Sequence, residues 1–153
     1  MTIQYLSQEK FTALQEELEH IQKVLMPHTA TRIDEAKQMG DLKENAEYHA
    51  ARERMGWLGA RARDIESIIS NAEIVTDQSE YTDTVTIGST VTISVQGKRR
   101  QYKIVGAQEA DPLSGNISNE SPIGSALLGK KKGDSVPITL PTGIQQCDVI
   151  EIQ

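Results

Sequence analysis

Gly40-Asp41-Leu42-Lys43-Glu44-Asn45-Ala46-Glu47 interrupts a long heptad pattern where the chain must reverse direction. On either side of it, apolar residues recur at steps of three and four. Two such stripes joined by a short turn predict an antiparallel helical hairpin with the turn at its far tip. The tip then carries two carboxylates, Asp41 and Glu44. Acids so placed can reach into a site belonging to another molecule.

Before the turn, Ser7 is a candidate N-cap, with Glu9 in the first turn where the helix dipole favours an acid. Phe11, Leu14, Leu18, Ile21 and Leu25 then form an a/d seam. Pro27 removes a backbone donor and predicts a kink or short break. Helical spacing resumes out of phase through Ala30, Ile33 and Ala36. After the turn, Tyr48, Ala51, Met55, Leu58, Ala62, Ile65, Ile69 and Ala72 continue the seam. Each arm has about thirty residues, so it reaches roughly 45 Å. Gly56 and Gly59, beside Trp57, suggest a close helix contact.

The hairpin is assigned to residues 1–75, a polar linker to 76–82, and a second domain to 83–153. In that domain Val85, Ile87, Val91, Ile93 and Val95 alternate with polar residues, Gln96-Gly97-Lys98 turns the chain, and Tyr102, Ile104 and Val105 start the return. Residues 111–116 read as a loop. Ser121 to Gly129 predicts one short helix, with Pro122 near its start and Gly129 past its end. Val136, Ile138 and Leu140 form a further strand. Ile150 and Ile152 alternate around Glu151 in the last one. Strands around one helix make a small α+β domain.

Composition narrows the function. Hydrophobic residues make up 37% and charged residues 25%, as in an ordinary folded chain. Aromatics are only 4%, which argues against an aromatic-lined ligand pocket. No apolar run reaches membrane-spanning length and no secretion signal opens the chain. A single cysteine, Cys147, fits a reducing cytoplasm. The net charge of −6 argues against gripping nucleic acid unaided. His20, His28 and His49 lack metal-site spacing.

The fourteen residues from Gly40 to Glu53 resemble the hairpin tip of bacterial transcript cleavage factors of the GreA type. Ile104-Val105-Gly106, Glu109-Ala110-Asp111, Ile117-Ser118, Ser121-Pro122-Ile123, Ala126-Leu127-Leu128-Gly129-Lys130 and Gly133-Asp134 agree with the same family. The resemblance covers nearly the whole chain in unbroken order. It implies that the coiled coil enters the secondary channel of bacterial RNA polymerase, while the carboxy-terminal domain, similar to the FKBP fold, docks outside. It implies an elongation factor, not itself an enzyme, that stimulates cleavage of backtracked RNA in the polymerase's own active site, leaving short products. Asp41 and Glu44 would be catalytic there, helping to hold the second Mg2+ ion and position the attacking water. The free protein would need no cofactor and would be a cytoplasmic monomer. Lys37 and Arg52 match positions that contact the nascent RNA 3′ end. Ser121, Pro122 and Ile123 match the loop that grips the polymerase. Cys147 stands where the family usually has an aromatic residue, which predicts a locally thinner core.

The residues keep other readings open. Asp-x-x-Glu resembles a capping box, so Asp41 and Glu44 can serve the helix alone. Lys37 can pair with Asp34 within its helix. Lys43 and Arg54 are further basic candidates; Glu47 reads as supporting and Tyr48 as packing between the arms. Lys98-Arg99-Arg100 and Lys130-Lys131-Lys132 read as solvated turns. Two rival functions remain: a non-cleaving inhibitor that occupies the same channel, and a prolyl isomerase.

Overall fold

The computed structural model describes residues 3–75, 83–140 and 143–153. The expected linker 76–82 lies outside them. The chain forms two compact units, one of residues 11–71 and one of residues 1–10 with 72–153.

The helical unit has two arms. The first comprises α1 (Gln8–His20), a π turn (Ile21–Leu25) and α2 (Met26–Lys37). No break occurs at Pro27. The backbone stays right-handed helical through His20 and Met26, and the Met26 N–H donates to Ile21 O, five residues back. The disturbance expected from Pro27 is thus absorbed one turn earlier, as an inserted residue. Burial records the insertion: Leu14, Ile21, Thr29 and Ala36 are buried, at steps of seven, eight and seven. Thr29 therefore takes the inward place expected of Ala30, which is exposed. The Thr29 hydroxyl is satisfied by donating to Leu25 O at 2.7 Å.

The second arm is α3 (Ala46–Ser70), which buries Ala51, Leu58, Ala62, Ile65 and Ile68. Ile68 replaces Ile69 as the buried member of the last turn. Arg61 grips Glu17 across the arms with two bonds of 2.8 and 2.9 Å, and Gln22 donates to Glu66 at 2.8 Å. Gly56 and Gly59 make no close helix contact. A Cβ at Gly56 would meet nothing within 4 Å, and Trp57 is 71% exposed.

A strand absent from the expectation, β1 (Gln4–Ser7), pairs in parallel with β2 (Ala72–Val75). It places residues 1–10 with the β-rich unit, whereas the hairpin domain was drawn as 1–75. Leu6 is fully buried. The Glu109 carboxylate accepts from the Ser7 N–H at 2.9 Å and the Ser7 hydroxyl at 2.6 Å. Ser7 in turn caps α1 through the Lys10 N–H.

The main sheet has the order β5-β4-β3-β7-β6, from β3 (Thr90–Val95), β4 (Lys98–Val105), β5 (Asn116–Ser118), β6 (Ser135–Leu140) and β7 (Gly143–Ile152). All pairs are antiparallel except β4–β5. Gln96 and Gly97 both take positive φ in the two-residue β3–β4 turn. The Val85 stretch makes no strand: only Thr84 bridges to Lys131, and Ile87 lies in a turn. In β7 a register shift separates the Thr92–Glu151 pair from Ile93–Val149. The bulge sets Cys147 and Val149 into the core and leaves Ile150 and Ile152 half-buried. The short helix α4 (Pro122–Leu127) closes the core with Leu127.

Cys147 is fully buried, and a cavity of about 300 Å³ opens beside it, bordered by Tyr102, Ile123 and Ile138. Burial, with the neighbouring Asp148 charge, pushes the thiol up to about 11. A raised value favours the neutral thiol in the fold. That contribution is intact below the ordinary thiol range and is withdrawn as pH climbs toward 11. Native protein at pH 8 should therefore resist iodoacetamide at Cys147, with labelling at the free-thiol rate only in denaturant; mass spectrometry over time reads both.

Candidate functional site

The turn between the arms is built by short-range polar bonds. Gln38 and Met39 close α2 with N–H bonds of 3.1 Å to Glu35 O and Ala36 O. Gly40 then takes φ +127, a conformation that disfavours any side chain. Asp41 comes next in extended geometry and accepts the Lys43 N–H at 3.0 Å through Oδ1, capping a single 3-10 turn, Leu42–Glu44. Asp41 thus caps as expected of it, but it caps this turn and not the second arm.

The second arm is capped by Asn45, a residue to which the sequence pattern assigned no role. Its Oδ1 accepts the Tyr48 N–H at 3.0 Å. Its Nδ2 donates to Ala36 O, at the end of the other arm, at 2.7 Å. The discoverable signal was an asparagine just ahead of a helix-forming run, one of the residue types most favoured at an N-cap. A second unforeseen tie joins His49 Nε2 to Lys43 O at 3.2 Å.

Asp41 and Glu44 are both exposed, at the end of the helical unit opposite its own chain ends. No third ligand joins them: among the described residues no group of three or more His, Cys, Asp and Glu is placed to hold a metal. The donor set fits Mg2+, which prefers oxygen and accepts one or two protein carboxylates beside water and phosphate. It is too sparse to hold the ion alone.

The flanking cations differ from each other. Lys37 sits 3.3 Å from Asp34 Oδ1, the intrahelical pair that was one of its two readings. Arg52 lies over the Tyr48 ring at 5.8 Å from its centroid, and Tyr48 meets His49 edge to face. Lys43, Glu47 and Arg54 are exposed, and Tyr48 is half-buried.

The other sequence-predicted site, Ser121, Pro122 and Ile123, begins α4 in the β-rich unit. Ser121 Oγ accepts the Gly124 N–H at 3.0 Å and donates to Ser118 O at 2.7 Å. Pro122 is exposed, whereas Ile123 is half-buried against the core. Ser121 and Ile123 therefore carry structural work, and Pro122 is the outward residue of the three.

Two family descriptions match the chain: the amino-terminal domain of transcription elongation factors over residues 4–74, and the GreA/GreB carboxy-terminal domain over residues 78–153. The chain belongs to the GreA/GreB family of transcription elongation factors. The GreA of Thermotoga neapolitana is 43% identical over 149 residues, covering 96% of this chain and 95% of that one. The GreA of Pseudomonas aeruginosa is 44% identical over 144 residues, 92% of this chain and 91% of that one. Among solved structures, the GreA factor homolog 1 (Gfh1) of Thermus thermophilus aligns over 99% of both chains at 26% identity and a TM-score of 0.46. The family assignment rests on the sequence matches. No described helix is long and apolar enough to cross a membrane.

The tight start of α4 yields a test of its packing. A Cβ at Gly124 would lie 2.0 Å from Ser118 O, a backbone atom that cannot step aside. Gly124→Ala should cost about 1–3 kcal/mol, several degrees in Tm by calorimetry. A variant that melts with the native protein would show that the turn relaxes freely.

Proposed function

We propose that this family member enters the secondary channel of bacterial RNA polymerase and stimulates cleavage of backtracked nascent RNA. The observation that carries this reading is the pair of exposed carboxylates, Asp41 and Glu44, on a braced turn between two packed helical arms. The arms serve as a coiled-coil probe. The β-rich unit, an FKBP-like module, docks on the polymerase through the α4 turn, with Pro122 outermost. The protein works as a cytoplasmic monomer until it meets the polymerase, and it is not itself an enzyme.

The chemistry is set by the poverty of the tip. In two-metal phosphodiester hydrolysis one ion stabilises the leaving oxygen and the other activates the attacking water. Asp41 and Glu44 would complete the oxygen shell of that second ion, held mainly by polymerase and RNA. The local 3-10 turn and the Asp41–Lys43 bond reduce the ordering the acids must undergo on arrival. Arg52, spread over Tyr48, presents a cation toward an RNA phosphate, and Lys37 adds a second after leaving Asp34.

The inhibitor reading has the weaker support, because relatives sharing above 40% of their residues with this chain are named GreA. Prolyl isomerisation is weaker still. The cavity near Ile123 has one aromatic in its lining, Tyr102.

Purified backtracked complexes test the proposal. The wild-type protein should speed RNA cleavage by orders of magnitude. Asp41→Ala with Glu44→Ala should remove at least 100-fold of that stimulation while leaving polymerase affinity within about threefold, since exposed acids carry no packing. Normal cleavage by the double variant would overturn the assigned chemistry. Slowed synthesis without new short RNA would favour the inhibitor.

A further inference from the structure

We infer that Asn45 is a positioning residue for Asp41 and Glu44, acting through a polar neck that closes the tip. The inference rests on the cleavage reading and adds a residue to it. The loop of residues 38–44 leaves the first arm after Lys37 and enters the second at Asn45. One side chain spans the gap. Asn45 Nδ2 donates to Ala36 O at 2.7 Å, while its Oδ1 accepts the Tyr48 N–H at 3.0 Å. The two bonds have separate consequences. The second caps α3; the first joins the arms and shuts the loop into a ring.

Apolar packing within the loop itself is thin: Met39 is 76% exposed and Leu42 39% exposed. The loop is shaped instead by the neck bond, the Asp41–Lys43 bond and the His49–Lys43 contact. Holding a residue in one backbone well opposes conformational entropy, and a single hydrogen bond offsets only part of that cost. The loop is therefore near the edge of order, and losing its neck bond releases the acids from their common geometry. A displacement of the order of 1 Å in a positioned group can cost a hundredfold in rate.

Asn45→Ser separates the two roles. Serine is an equally good N-cap, so α3 keeps its start. Its hydroxyl is too short to reach Ala36 O. The variant should melt within about 3 °C of wild type and bind polymerase equally well. Its cleavage rate at saturating protein should fall about tenfold, and the Mg2+ concentration for half-maximal cleavage should rise severalfold. In the background lacking Asp41 and Glu44 the same change should have no further effect. NMR order parameters of residues 41–44 in the free protein should drop, with those of α3 from Ala51 onward unchanged. A wild-type cleavage rate and Mg2+ requirement, or an unchanged loop, would overturn the inference. So would a loss of polymerase binding or of α3 order, since each marks a merely structural role. If wild-type protein itself stimulates no cleavage, the functional reading fails, and a tip that stays rigid in Asn45→Ser refutes the neck independently.

Discussion

Everything at the tip depends on the two arms staying in contact up to their last turn, and one inserted residue makes that possible. Leu14 and Ile21 point inward seven residues apart. A strict heptad would next bury His28 and then Glu35, which are exposed. The π turn at Ile21–Leu25 rotates the remainder of the arm by about one residue, roughly 100°. Thr29 and Ala36 then come inward. The small Ala36 brings its turn of α2 close to α3, and its carbonyl is the one Asn45 reaches. A helix without the insertion would present the wrong face at that point.

The β-rich unit is ordered by different means. Its sheet is pinned by a positive-φ turn at Gln96-Gly97 and a bulge opposite Thr92 and Ile93. Short β1, far too small to stand alone, is secured by β2, by the Glu109 carboxylate, and by the close approach of Gly106 to the Tyr5 carbonyl. A Cβ at Gly106 would fall 1.8 Å from that oxygen, so only glycine admits the strand. Cys147 is packed in that core, and a cavity reaching the surface at Lys98 and Arg100 lies beside it.

The features legible in the sequence were the ones that repeat. The seams of both arms, a turn within residues 40–47, the β3–β4 turn and the short helix behind Ser121 each have a period or a punctuating residue to announce them. The features that stayed hidden depended on distant partners or on one-residue slips. β1 is four residues whose ladder partner lies 68 positions away, as in Gln4 against Ala72. The bulge in β7 reverses an alternation that looked continuous through Ile150 and Ile152. The π turn moved the inward residue from Ala30 to Thr29, because Pro27 announces a disturbance without saying where the helix absorbs it. At the tip the acids were legible by type, but the capping box drew attention from Asn45. The side chain that spans the turn carries no charge and leaves no periodic trace.

If the proposed function holds, the division between acids and their support is what a borrowed active site demands. Carboxylates that held a metal tightly in the free protein would need three or four oxygens fixed together, and would arrive at the polymerase already occupied. Two exposed acids on a thinly packed turn avoid this, since water and side-chain freedom outcompete weak coordination. The same openness threatens the chemistry, which needs both oxygens in one place at one moment. In the proposed mechanism a neutral amide at the neck resolves the conflict. It constrains the backbone beneath Asp41 and Glu44 without adding a ligand, a charge or a competing proton. On this view the tip is kept poor in ligands but rich in backbone ties, and its order comes from Ala36, Lys43 and Tyr48 main-chain groups instead of from any bound ion.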